Sequence, residues 1–424
     1  MPIPLDAFAG ASAGPADMGP GQPAQTRPTY VTVGDSVMWG QGLRPENRFR
    51  ERVRQDLSEV RGFQVVELSM ARSGAVIQPA ANDDRDHPLL VGLNNAGELA
   101  DHHYSPDGYQ REIPMESPLS ILGQLKLAHT ILLDNDVPPE QIEVVLVNGG
   151  INDFGATNII SPLEFLRSSL SDTLKAPLQG MMDAVLPLTT PVRDWPTWLV
   201  RRAEAMSLGE RLETLLETAL SLFPEAMVVI TGYYPLVSAH SCGNAHLIQL
   251  LALLHTPLSV VTAALQHNLA LTAFLDVETI ALAGWERASS TWVELSNTAI
   301  QGAVDSVRRD PRHAGRRVAF APSKMAAENA IFASEPWLWG FSTDAATTMT
   351  TLDRLLNAMD LNPEDEVAAE RCARYESMVR PGPQYDVIYR LASVGHPNAL
   401  GAGDYAASIR AAMAALDGVS RPVV

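Results

Sequence analysis

The chain has 424 residues, 46% hydrophobic and 19% charged, an ordinary globular mixture that excludes disorder, collagen-like chains and coiled-coil rods. Its 31 Lys and Arg against 49 Asp and Glu leave a formal net charge of −18, which disfavours nucleic acid and anionic membrane surfaces as partners. Cys242 and Cys372 are the only cysteines and neither belongs to a Cys-x-x-Cys pair, which disfavours a thiolate zinc site and allows one disulfide at most.

Residues 1–28 are rich in Ala, Gly and Pro and read as a flexible leader. They lack the basic and apolar regions of a signal peptide, so the protein is either cytoplasmic or secreted with its signal already removed.

Five short runs then follow: Tyr30–Val33, Gln64–Leu68, Glu143–Val147, Met227–Thr231 and Arg317–Phe320. Each is apolar enough to be buried on both faces, the pattern of parallel strands covered by helices. Helical patterns lie between them at Pro45–Leu57 and Pro118–Asp134, and a last one follows Gly403, with Asp404 as its N-cap, to Leu416. The alternation predicts a three-layer α/β/α sandwich around a flavodoxin-like five-stranded parallel sheet of order 2-1-3-4-5.

One domain over 29–418 is expected, with large, mainly helical insertions near 79–116, 156–223 and 245–307. The first insertion holds Asp83, Asp84, Asp86, His87, Asp101, His102 and His103, irregularly spaced, and reads as a solvated acidic loop; no metal is expected. The second ends in an amphipathic helix, Leu208–Leu222. No charged residue occurs from Ala226 through Leu275, but His255, Pro257, Gln266, His267 and Asn268 break the apolar run, so no transmembrane segment is expected. That stretch reads as buried core or as the wall of an apolar substrate pocket.

Four strand-end or edge-loop segments carry chemistry. The first strand runs into Gly34-Asp35-Ser36, placing Ser36 at the carboxyl edge of the sheet, where ligands of open α/β sheets bind. The plain alternative is an N-cap serine. The second strand is followed by Gly74, whose N–H can face the same edge. The third ends in Gly150-Ile151-Asn152-Asp153, and an Asn amide suits an oxyanion because it stays neutral at all pH values. The alternative is a turn Asn, with Asp153 capping the next helix. Before the last helix stands His396-Pro397-Asn398, and His is the side chain best able to take a proton from serine near neutral pH. Trp337 and Trp339 are candidates to line the cleft beside His396; core packing is their plain alternative.

The ordered set Gly34-Asp35-Ser36, Gly74, Gly150-x-Asn152-Asp153 and His396-Pro397-Asn398 resembles the SGNH, or GDSL-like, hydrolase family. The resemblance implies the same sandwich fold and hydrolysis of carboxylic esters, among them lipids, short acyl esters, thioesters and acetylated sugars, without a cofactor. It casts Ser36 as nucleophile, His396 as base, and Ser36, Gly74 and Asn152 as oxyanion donors. Two departures stand out: Val37 replaces a Leu, and Ser393 replaces the Asp usually found three residues before the histidine. The imidazole then needs a backbone carbonyl, such as that of Ser393, or an acid from elsewhere, with Glu335, Asp344 and Asp386 as candidates; otherwise the site is impaired. The carbonyl is favoured. The expected function is a serine esterase or lipase; the alternatives are an acyltransferase with the same acyl-enzyme or a non-catalytic binding module.

Overall fold

The structure is a computed structural model that describes residues 28–78, 120–154, 200–201, 203–204, 207–241, 271–342, 362–363, 365–370 and 393–417. Residues 1–27 of the expected leader, the acidic loop, both cysteines and most of the charge-free stretch lie outside these residues, and Pro28 already belongs to the first strand.

The chain folds as a parallel sheet with helices on both faces. In order it forms β1 (Pro28–Val33), α1 (Ser36–Trp39), α2 (Phe49–Arg61), β2 (Val66–Ser69), α3 (Ile121–Asp134), β3 (Val144–Val147), α4 (Ile151–Phe154), α5 (Leu208–Leu222), β4 (Met227–Thr231), α6 (Leu271–Arg309), β5 (Arg317–Ala321) and α7 (Ala399–Asp417). The sheet order is β2-β1-β3-β4-β5 with every pairing parallel. The expected order and strands are found, each strand end within two residues of its expected place. Helices α2 and α7 pack on one face; α3, α5 and α6 pack on the other.

Burial on both faces explains the uninterrupted apolar strands. Every residue of β3 is 0% exposed, and Met227–Ile230 are at most 1% exposed. Helix α5 buries Leu208, Leu212, Leu215, Leu216, Ala219 and Leu220, an i, i+4, i+7, i+8 stripe facing the sheet and α6. Each buried Leu contributes about 1.5–3 kcal/mol of transfer free energy. Trp285 and Trp292 of α6 are buried in the same layer. Among the described residues no helix is long and apolar enough to cross a membrane.

Three element ends differ from expectation. Pro45–Asn47 form a 3-10 turn, extended Arg48 interrupts it, and the helix proper starts at Phe49. Helix α3 begins at Ile121, with the Ser120 hydroxyl accepting the Gly123 N–H. Helix α7 begins at Ala399 because Asn398, not Asp404, caps it: Asn398 Oδ1 accepts the N–H groups of Leu400 (2.9 Å) and Gly401 (3.3 Å). Asp404 lies inside the helix and accepts from Ser323 Oγ and the Lys324 N–H. Gly401 is tolerated within the helix because it permits close approach to another chain segment: a Cβ there would stand 2.5 Å from the Trp337 carbonyl oxygen.

Candidate active site

The carboxyl ends of β1, β2 and β3 and the start of α7 meet at one edge of the sheet. At the end of β1, Gly34 has φ +156°, and a Cβ there would lie 2.8 Å from Met38 Cβ and 2.9 Å from the Asn148 carbonyl oxygen. Only glycine fits this turn. Buried Gln124 of α3 clamps it, accepting the Gly34 N–H at 2.8 Å and donating to its carbonyl at 3.2 Å. Asp35 is the N-cap of α1, accepting the Val37 N–H at 2.9 Å. Ser36 is therefore the first helical residue and not the cap, and its side chain is half-buried at the rim.

His396 Nε2 lies 2.7 Å from Ser36 Oγ. Its Nδ1 lies 3.2 Å from the Ser393 carbonyl oxygen, which also accepts the His396 N–H at 2.9 Å. A carbonyl can only accept, so Nδ1 carries the proton and Nε2 is left to accept from the Ser36 hydroxyl. Of the acids considered for this role, Glu335 is exposed, and Asp344 and Asp386 lie outside the described residues.

The histidine loop is held from two sides. The Trp339 backbone N–H donates to the His396 carbonyl at 2.8 Å, the Trp339 carbonyl accepts the Gly395 N–H at 2.9 Å, and the Asn398 backbone N–H donates to the Trp337 carbonyl at 2.9 Å. The 337–339 segment thus runs antiparallel to the loop. Both tryptophans are half-buried and pack against the core. From beneath, the buried Tyr234 hydroxyl donates to the Gly395 carbonyl at 3.0 Å.

Gly74 has φ +80°, in a loop anchored by Arg72 N–H to the Gly34 carbonyl at 2.9 Å and by the Ser73 hydroxyl to Gln41 Oε1 at 2.5 Å. Asn152 donates one amide hydrogen to the Ala75 carbonyl at 2.9 Å, tying the β3 edge to this loop. The Asp153 carboxylate accepts the Ile77 N–H at 2.8 Å and meets Arg211 Nη1 at 3.2 Å; the chain that follows Phe154 lies outside the described residues. Burial raises the Asp153 pKa, opposed by the Ile77 N–H and by Arg211. The Gly74 loop and the Asn152 turn are therefore stitched together beside Ser36.

Beneath the site lies a polar network not anticipated from the sequence. Asp35 is 0% exposed, and burial pushes its carboxyl from 3.8 up to about 7, against the pull of the Val37 N–H and the Tyr233 hydroxyl. Asn148, with its carbonyl accepting from Thr231 Oγ1 at 2.9 Å, places its NH2 group 2.5 and 3.1 Å from the two Asp35 oxygens. The available signal was polar residues closing buried strands, Asn148 after β3 and Thr231 in β4, where unpaired polar groups are costly.

Among the described residues one cluster, Glu217, Asp310 and His313, has metal-ligand spacing. Arg312 already pairs with both carboxylates, at 2.6 Å to Glu217 and 2.5 Å to Asp310, so a cation there would compete with the guanidinium for them.

No protein-family model matches the chain, and no curated protein matches it. Solved structures similar to it include the extracellular lipase of Streptomyces rimosus, with 12% identity over 90% of this chain and 98% of that one and a TM-score of 0.39. Phospholipase A1 from Streptomyces albidoflavus NA297 shares 13% identity over 90% and 98% of the two chains, with a TM-score of 0.37. A lipase from a goat rumen metagenome shares 11% over 90% and 96%, with a TM-score of 0.31. Likeness at this level identifies no activity for this chain.

Proposed function

We propose that the chain is a serine hydrolase of carboxylic acyl esters, with Ser36 as nucleophile and His396 as general base. The observation that carries this reading is the 2.7 Å contact between Ser36 Oγ and His396 Nε2, with Nδ1 turned to a carbonyl that holds the tautomer. As Ser36 Oγ attacks the ester carbonyl carbon, its proton passes to Nε2. The Ser36 and Gly74 N–H groups and the second amide hydrogen of Asn152 would receive the oxyanion. Collapse breaks the ester C–O bond, and His396 returns the proton to the departing alcohol. Water, deprotonated by the same nitrogen, then releases the acid and regenerates the serine.

No metal or cofactor enters this scheme. The substrate is an acyl ester of a lipid or small alcohol, with Trp337 and Trp339 beside the histidine loop as candidates to contact it. An acyltransferase would share the acyl-enzyme and differ in product partition between water and an added alcohol. Labelling by a fluorophosphonate followed by peptide mapping tests the nucleophile; modification at Ser36 is expected, and an unmodified Ser36 would leave a non-catalytic binding module. Nitrophenyl esters from acetate to palmitate then measure acyl preference.

A further inference from the structure

Ser393 occupies the place from which a carboxylate could have faced the imidazole directly, and it is 0% exposed. Its hydroxyl donates to Asp365 Oδ2 at 2.5 Å. Asp365 is itself 6% exposed and belongs to the described segment 365–370, outside every motif read from the sequence. Several contacts hold this carboxylate in place. Asp365 Oδ1 accepts the Val367 N–H at 3.3 Å. The neighbouring Glu366 donates its N–H to the Gly42 carbonyl at 3.1 Å, and its carboxylate accepts from the Arg44 N–H at 2.8 Å and the Asn47 amide at 2.9 Å. Gly42 lies just past α1, and a Cβ on it would stand 2.7 Å from Ser393 Cβ. The serine turn, the Asp365 segment and the histidine loop therefore converge on Ser393.

The geometry points to Asp365 as the displaced acid of this site, a positioning residue that acts on His396 through Ser393; this rests on the Ser36–His396 reading. A buried carboxylate needs hydrogen-bond donors, and the Ser393 hydroxyl is one of them. That bond fixes the Ser393 side chain and with it the turn whose carbonyl receives the Nδ1 proton. Ser393 therefore stands between the two groups, its hydroxyl on Asp365 and its carbonyl on the imidazole that becomes an imidazolium when Ser36 loses its proton. No proton passes to Asp365; every proton transfer of the cycle runs through His396 Nε2.

The test pairs Asp365→Asn, which keeps an acceptor for the Ser393 hydroxyl but removes the charge, with Ser393→Ala, which removes the link. The readouts are kcat and KM on a nitrophenyl ester, the rate of fluorophosphonate labelling at Ser36, and thermal melting. Each single change is expected to lower kcat and the labelling rate about tenfold with KM within about twofold. The double variant should be no slower than the poorer single, because both changes break one connection. The exchange variant, Ser393→Asp with Asp365→Ser, should recover most of the loss by setting a carboxylate against the imidazole. Wild-type kcat in both singles, or losses that multiply in the double, would overturn the proposal. If the singles melt early, the exchange variant decides: recovered kcat supports the proposal and its absence overturns it. A wild-type protein that fails to label sinks the Ser36–His396 reading and this proposal with it, whereas a labelled wild type with unchanged variants sinks this proposal alone.

Discussion

The Tyr233 hydroxyl donates to Asp35 Oδ2 at 3.0 Å and accepts the Ile151 N–H at 3.0 Å, so one phenol braces the turns after β1 and β3 from the end of β4. Asp35 is thereby held under the Ser36 turn as its N-cap and as the acceptor of a buried network. This arrangement makes the stability of the site depend on pH.

Burial places the Asp35 pKa at about 7, above its ordinary 3.8. The folded state thus keeps its proton to higher pH than the unfolded chain, and the contribution to stability is full below about pH 4 and lost as pH rises through about 7. Asp35→Asn cannot titrate. Melting temperature of the wild type, measured relative to Asp35→Asn, should therefore fall from pH 4 to pH 8. A constant difference would show that Asp35 does not titrate in this range.

Ser36→Ala and His396→Gln should each lower kcat by about 10⁴–10⁶-fold, and the double variant should be little worse than either single. Steady-state kinetics on one nitrophenyl ester measures this. Independent, multiplying losses would mean that the two residues do not act as a unit.

Asn152→Ala should lower kcat about 10²–10³-fold with KM nearly unchanged if its amide meets the oxyanion. A rise in KM alone would assign Asn152 to ground-state binding. Gly74→Ala gives a second view of the same hole. Among the described residues the added Cβ meets no atom within 4 Å, and the left-handed backbone at φ +80° costs about 1–2 kcal/mol. That variant should fold with a modestly lowered melting temperature, and a kcat loss beyond the stability loss would mark displacement of its N–H.

Gly42→Ala should be more damaging. Its φ is +84°, and the new Cβ would stand 2.7 Å from Ser393 Cβ and 2.9 Å from Trp339 Nε1. Strain and overpacking together should exceed about 2 kcal/mol, lowering the denaturant midpoint, and the displaced histidine loop should lose turnover in parallel. Full activity would show that the loop tolerates a shift.

The sheet was legible because burial on both faces leaves a local trace: Val144–Val147 and Met227–Thr231 are short, apolar and bounded by small or polar residues. Strand order followed from the alternation of strands and helices. The N-terminus of α7 was not legible, since Asn398 and Asp404 both have the chemistry of a cap and only the structure shows Asn398 Oδ1 taking the Leu400 and Gly401 N–H groups while Asp404 turns to Ser323 and Lys324.

The same division holds at the site. By itself the sequence determined that a serine, a glycine, an asparagine and a histidine follow elements that a parallel sheet brings to one edge, because strand polarity is written in chain order. What closes Ser36 on His396 at 2.7 Å, and what stands behind the imidazole, only the tertiary structure decided. Asp365 reaches Ser393 from a segment 28 positions away, and Asp35 finds Tyr233 across 198 positions. Hydrogen bonds between residues so far apart leave no periodicity and no spacing to read; they exist only once packing has brought their donors and acceptors out of water together.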